Sequence, residues 1–195
     1  MKETQKANRR RKSDPVWQNV LQGHGIDIGC GPDAIGKDGL FPDIIKCDPY
    51  DARFGDPDAQ YIDRYRSNEH YDFVYSSHCL EHMADPFIAL KNWSKLVKRG
   101  GYLIFVVPDE DLYEQGVWPS IRNRTHTHSF TIHKKESWSP KSVNVLDLAQ
   151  SLDDFKTIRI SLQDQGYNYN LKGVDQTLGV AECNIEYIAQ KHEIS

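Results

Sequence analysis

The sequence predicts an α/β fold, a doubly wound sheet that is mostly parallel with an antiparallel closing strand. Three observations lead there. Apolar runs at residues 25–28, 44–47 and 102–107 are too short for helices and too uninterrupted for exposed strands. One amphipathic helix, at residues 85–97, stands between two such strands as a crossover. The chain then finishes in two alternating segments, 155–162 and 181–190, that read as a closing pair of strands.

Taken in order, residues 16–21 lead as a short helix or strand into the first core strand at 25–28. Residues 33–43 hold Gly36, Gly39, Pro42 and three aspartates, so no full helix is expected there. A second strand follows at 44–47, a weaker third at 60–62, and an alternating fourth at 71–76. Asp85 is placed to cap the next helix, with Pro86 in its first turn and Phe87, Leu90, Trp93, Leu96 and Val97 on one face. Gly100-Gly101 end it, and Lys95, Lys98 and Arg99 complement the negative end of its dipole. Residues 102–107 form a buried strand, 108–140 are irregular and aromatic-rich, and a helix is expected at 142–152. This order is Rossmann-like.

Composition bounds the class. A chain of 195 residues with 38% hydrophobic and 27% charged residues is expected to fold as one soluble domain. Its longest apolar run is far too short to span a membrane, and its basic N-terminus is followed by no apolar stretch, so no secretory signal is read. Cys30, Cys47, Cys79 and Cys183 lie far apart, which disfavours a zinc ribbon and fits free thiols in the cytoplasm. The net charge of −4 is uneven: residues 1–12 carry six Lys/Arg against Glu3 alone. Residues 1–14 are therefore read as a flexible basic arm, and 15–195 as a single domain, active as a monomer or homodimer. The acidic remainder argues against a surface that tracks phosphates, so nucleic acid is disfavoured as a partner.

The chemistry begins at Asp27-Ile28-Gly29-Cys30-Gly31. A Gly-x-Gly turn after a strand lets backbone approach a ligand closely, and Asp48, ending the second strand, can accept hydrogen bonds from ribose hydroxyls. Gly29-x-Gly31-x-x-Ala34 also satisfies a loose nicotinamide fingerprint. The missing helix after the turn removes the dipole that would hold a pyrophosphate, and Asp27 would repel phosphates while suiting a cation.

These residues, with Ser77-His78-Cys79-Leu80-Glu81-His82 and the helix exit Leu96-Val97-Lys98-Arg99-Gly100-Gly101, resemble the class I S-adenosylmethionine-dependent methyltransferases of small-molecule type. The resemblance covers residues 22–108, with Arg99 where that group carries proline. It implies S-adenosyl-L-methionine as cofactor and S-adenosyl-L-homocysteine as product. Gly29, Cys30 and Gly31 would pass under the methionyl part, with Asp27 near its ammonium. Asp48, beside Pro49, would take the ribose, and Asp63 the adenine amino group. Ser76, Ser77 and His78 would lie beside the transferable methyl. The motif of amino-directed DNA methyltransferases is absent from residues 76–79, and Cys79 lacks the preceding proline of the cytosine-C5 type.

Methyl transfer needs positioning and a deprotonated acceptor. For a hydroxyl acceptor the candidate bases are His78, His126 and His128, while His82 reads as a helix-start or packing residue. The long segment 108–140 is expected to act as a substrate-side lid, with Tyr113, Trp118, Arg122 and Arg124 binding substrate. Aromatic faces and guanidinium groups suit a sugar, a nucleotide-sugar or a glycan precursor, or another polar acceptor bearing carboxylate or phosphate. A different small metabolite, such as a phosphorylated amine or lipid-like molecule, and an inert cofactor-binding regulatory subunit are the alternatives. Asp109-Glu110-Asp111 offers oxygen ligands for Mg2+, but such triplets are more often solvated turns, and no metal site is assigned.

Overall fold

The computed structural model describes residues 3–193. Its elements run α1 (Glu3–Arg11), α2 (Pro15–Val20), β1 (Gly23–Ile28), β2 (Ile44–Tyr50), β3 (Tyr71–Ser77), α3 (Pro86–Leu96), β4 (Val97–Pro108), β5 (Ser129–Thr131), β6 (Ser142–Asn144), α4 (Val145–Gln150), β7 (Phe155–Gln163) and β8 (Asn184–Lys191). Six strands form one sheet in the order β2-β1-β3-β4-β8-β7, and β5 and β6 pair separately. β2, β1, β3 and β4 are parallel neighbours. β8 inserts antiparallel between β4 and β7 and so closes the sheet.

Alternation along β4 divides the core between the two faces. Leu103, Phe105 and Val107 join Leu90, Trp93 and Leu96 of α3 and Leu148 of α4. Ile104 and Val106 join Trp17 and Val20 of α2 and its C-cap Leu21, together with Ile35 and Phe41 from the helix-free segment after β1. α3 forms as its sequence dictates: the Asp85 carboxylate accepts from the Phe87 and Ile88 amides, with Pro86 in the first turn. Phe87 itself is exposed, and the buried stripe runs through Pro86, Ala89, Leu90, Trp93 and Leu96. The helix stops at Leu96, short of the expected exit, so Lys98, Arg99 and Gly100-Gly101 belong to β4 and only Lys95 stands in its last turn.

Several expectations are corrected. Residues 60–62 are not a strand but part of a 3-10 helix, Ala59–Arg64, capped by Asp58. Side chains of α3 hold it off the sheet edge: Trp93 Nε1 donates to the Ala59 carbonyl at 2.8 Å and Asn92 Nδ2 to that of Gln60 at 2.7 Å. The helix expected at 142–152 is preceded by β6 and begins only at Val145, capped by Asn144. Over residues 3–11 the basic segment is not a free arm. It is helix α1, with Thr4, Lys6, Ala7, Asn8 and Arg11 buried. Arg10 and Arg11 both bind the buried carboxylate of Glu186 on β8, and Arg11 also donates to Tyr75 Oη. A charge run reads as solvated from sequence because its partners, Glu182 and Glu186, lie more than 170 residues away.

Candidate active site

A cleft of about 430 Å3 opens at the carboxyl ends of β1 and β3. Its floor is Gly29, Cys30 and Gly31, one side is Asp51 and Arg53, the other is Ser77, His78 and His82, and Glu3 and Thr4 of α1 form the rim. Gly29 has φ of +75°, and a Cβ there would meet Cys79 Sγ at 2.5 Å. The turn is held by the Gly29 amide on the Tyr50 carbonyl (2.7 Å) and the Gly31 amide on Asp51 Oδ2 (2.8 Å). Sharing Gly29, Asp51 and Cys79 with this cleft is a second cavity of about 350 Å3, walled by Tyr50, Ala52, Pro57, Ala59 and Met83. An apolar slot beside an acid-rimmed glycine turn fits a nucleoside carrying a cationic group.

Asp27 does not line the cleft. It is buried, Oδ2 accepts from the Ile35 amide at 2.7 Å, and Oδ1 has no hydrogen-bond partner among the described residues. Burial, with the Asp33 charge nearby, pushes its pKa well above the ordinary carboxylate range.

Asp48 also lies elsewhere. β2 continues to Tyr50, so Asp48 sits opposite Ile26, where it meets His24 Nε2 (3.1 Å), Lys46 Nζ (2.6 Å) and Tyr71 Oη (3.3 Å). Asp51, three residues on, occupies the position beside the glycine turn. Pro49 faces a different groove with residues 34–37, and Asp63 is tied to Lys95 at 2.7 Å. Ser76 is buried and donates to the Ile28 carbonyl, whereas Ser77 reaches the cleft.

His78 stands at the cleft wall with φ of +54°. Its Nδ1 lies 3.4 Å from Glu81 Oε1, and its Nε2 lies 3.8 Å from Glu3 Oε2. Burial opposes its positive charge, but the Glu81 and Glu3 carboxylates outweigh burial and raise its pKa. Glu81 is fully buried; burial would raise its carboxyl, yet the surrounding imidazoles hold it below the usual value. His82 Nε2 and His126 Nε2 each lie 3.9 Å from the same Oε1.

Of the residues expected from the 108–140 segment, the structure brings His126 and Tyr113 to this cluster and leaves the others apart. The Tyr113 ring is 5.2 Å from that of His126 and 6.4 Å from that of His78. His126 directs both ring nitrogens at carboxylates, Nδ1 bonding Glu114 at 2.8 Å, so neither is turned to the cleft. His128 bonds Thr127 Oγ1 outside the cleft, and burial lowers its pKa. Arg122 is consumed internally, by the Tyr113 carbonyl at 2.5 Å and by Asp175 at 3.7 Å. Arg124 is exposed, and Trp118 is half-buried away from the cleft lining. The acid triplet is neither a solvated turn nor a cation site. Asp109 caps the turn at Glu110–Glu114, Glu110 accepts from Ser137, Ser142 and Lys134, and Asp111 pairs with Lys134 and Trp138.

Sequence reasoning missed Asp51, Glu81 and the α1 residues Glu3 and Thr4. It also missed an aromatic groove of about 410 Å3 in which Trp138 meets Tyr167 and Tyr169. Glu81 was visible inside the Leu-Glu-His motif; nothing local marks the others.

Residues 5–138 match the family model described as a methyltransferase domain. A SAM-dependent methyltransferase of Archaeoglobus fulgidus is similar in fold, with a TM-score of 0.60 at 19% identity over 98% of this chain and 95% of that one. An S-adenosylmethionine-dependent methyltransferase of Clostridium acetobutylicum gives 0.59 at 13% identity, covering 97% and 92%. One from Mesorhizobium loti gives 0.57 at 14%, covering 93% and 100%. No curated protein matches the chain in sequence.

Proposed function

From the premise that this chain belongs to the methyltransferase-domain family and is an S-adenosylmethionine-dependent methyltransferase, we propose that it methylates a hydroxyl oxygen of a small, uncharged polar acceptor, a saccharide or glycan precursor. The carrying observation is His78 at the cleft wall, its Nδ1 3.4 Å from the buried Glu81 carboxylate. A histidine beside a buried carboxylate is a proton acceptor, and its Nε2, buried under Glu3 with no hydrogen-bond partner among the described residues, can take the proton of an incoming hydroxyl once Glu3 moves aside. When bound, S-adenosylmethionine supplies an electrophilic methyl on a sulfonium sulfur.

The chain's own residues do the rest. Gly29 and Gly31 leave room for close approach, and Asp51 stands ready for the ribose. Asp33 and Asp51 set carboxylates at the glycine turn, which favours a cation there, while Glu3 is paired with Lys6 at 2.7 Å and Arg53 lines the same side as Asp51. The arginine that would have welcomed an anion, Arg122, is already paired with Asp175. In a separate groove, which shares no lining residue with the cleft, rings of Trp138, Tyr167 and Tyr169 offer stacking surface of the kind sugars use.

The test is release of S-adenosylhomocysteine with a panel of neutral saccharides, their phosphorylated counterparts and primary amines. Turnover on neutral hydroxyls, reduced ~10²–10⁴-fold in His78→Asn with S-adenosylhomocysteine affinity retained, is the expected result. Asparagine is chosen because it tolerates the left-handed backbone at this position. Turnover confined to amines, or indifferent to His78→Asn, overturns the reading.

A further inference from the structure

We propose that Glu81, His82 and His126 bind one divalent transition-metal ion of the zinc class at the wall of the cleft, with Glu114 as the outer partner of His126. Their ligating atoms lie within 4.8 Å of one another, with both histidine Nε2 atoms 3.9 Å from Glu81 Oε1. Ligands ~2.1 Å from a tetrahedral ion stand about 3.4 Å apart, so small side-chain rotations close the site.

Proton bookkeeping carries the argument. His82 Nδ1 is 3.1 Å from the Thr125 carbonyl, which can only accept, so the proton of a neutral His82 ring is on Nδ1. Thr125 Oγ1 gives its own proton to Asn123 Oδ1 and accepts as well. His126 Nδ1 lies 2.8 Å from the Glu114 carboxylate, again an acceptor. Both Nε2 atoms therefore present lone pairs toward Glu81. That carboxylate is fully buried, and neither of its oxygens receives a hydrogen bond from any described residue. His78 Nδ1 stands nearer, at 3.4 Å from Oε1, without making a hydrogen bond, so it serves one side of the carboxylate and leaves the side of His82 and His126 open. Two lone pairs facing a buried carboxylate repel it; a cation between them converts the repulsion into coordination. Protonating both rings would supply donors, but at 3.9 Å neither makes a hydrogen bond.

The supporting shell is that of a metal site. A ligating histidine ordinarily anchors its other ring nitrogen on a carboxylate or carbonyl, as His126 does on Glu114 and His82 on Thr125. The two ligand-bearing segments are clipped together, the Thr127 amide donating to the Glu81 carbonyl at 2.8 Å and Thr127 Oγ1 to the Met83 carbonyl at 2.7 Å. Two imidazoles and one carboxylate suit zinc or another first-row ion, not Mg2+. His82 also lines the cleft, so the ion's open side faces the place where an acceptor would enter.

The test uses the full chain, stripped with a chelator and titrated calorimetrically with Zn2+, with Co2+ as a spectroscopic probe. One ion per chain at submicromolar Kd is expected, and visible Co2+ bands of a low-coordinate site. Glu81→Gln and His126→Gln should weaken Zn2+ at least a hundredfold, and Glu114→Gln ~10–100-fold. S-adenosylhomocysteine affinity, read in parallel, reports that each variant is folded and separates this proposal from the cofactor assignment. No stoichiometric uptake by the wild-type chain, Co2+ bands of a purely aqueous ion, or folded variants with unchanged affinity would overturn it. Should the Glu81 or His126 variants fail to fold, the wild-type Co2+ spectrum and its change in Glu114→Gln decide the matter.

Discussion

His126 Nδ1 lies 2.8 Å from Glu114 Oε1, and both side chains are sealed from solvent. The pair joins the turn at Glu110–Glu114 to the extended segment that runs beside Glu81. Removing Glu114 leaves a buried imidazole N–H without an acceptor. Glu114→Ala is expected to lower unfolding stability by ~2 kcal/mol, and Glu114→Gln by less because its amide oxygen still accepts. Urea denaturation of the two variants checks the order.

Asp51, not Asp48, should govern cofactor affinity. Asp51→Asn is expected to weaken S-adenosylhomocysteine by ~10–100-fold, the worth of a charge-assisted hydrogen bond. Asp48→Asn, inside the sheet with His24 and Tyr71, should leave affinity within about twofold of wild type while shifting stability by ~1 kcal/mol. Calorimetry on both variants reads this directly, and the reverse ranking would refute it.

Gly29→Ala combines a left-handed backbone with a Cβ forced against Cys79 Sγ at 2.5 Å. We expect loss of S-adenosylhomocysteine binding by more than tenfold and destabilisation of ~2–3 kcal/mol. Cys79 Cβ is as close as its sulfur, so the double variant Gly29→Ala/Cys79→Gly should recover part of the stability and Gly29→Ala/Cys79→Ala should not.

Asp109 should make the protein less stable as pH rises through the mildly acidic range. Burial lifts its pKa from 3.8 to about 6, so the folded state holds a proton that the unfolded chain has already released. Stability therefore falls between pH 4 and 6, and the ionised folded state carries a cost of about 3 kcal/mol above that window. Asp109→Asn keeps an acceptor for the Asp111 and Leu112 amides. It should be more stable than wild type at pH 7.5 and equal to it below pH 4.

Glu186 should behave with the opposite sign. Burial acts to raise its carboxyl, but Arg11 and Arg10 prevail and hold it below 4.5. Its stabilisation is complete above pH 4.5 and fades as pH falls through the lowered folded value. Glu186→Gln should cost ~3 kcal/mol at neutral pH, because Arg11 remains buried with its counter-charge gone. The gap to wild type should narrow in denaturation curves taken at progressively lower pH below 4.5.

Much of the fold was legible because its signals are local. Alternation in residues 102–107 and the Asp85-Pro86 start each act within a few residues and appear in β4 and α3, whereas the expected Gly100-Gly101 stop does not, because α3 already ends at Leu96 and the two glycines lie within β4. What failed depended on distant partners. Residues 60–62 look like a strand until Trp93 and Asn92 capture the carbonyls of Ala59 and Gln60. Residues 3–11 look solvated until Glu182 and Glu186 arrive from the far end of the chain. The site divides the same way. The glycine turn and Leu-Glu-His were readable, but the length of β2, which displaces Asp48 in favour of Asp51, is set by pairing with β1. Likewise nothing near His126 announces Glu81, which meets it across 45 residues.

The rim of the cleft comes from the first residues described here, and those residues are fastened to one of the last strands. Glu3 and Thr4 reach the cleft because Arg10 and Arg11 grip Glu186. During synthesis the glycine turn and Asp51 leave the ribosome well before β8 is made. The cleft therefore stays open-sided until β8 has been made, and affinity for the cofactor should mature only when that strand has entered the sheet.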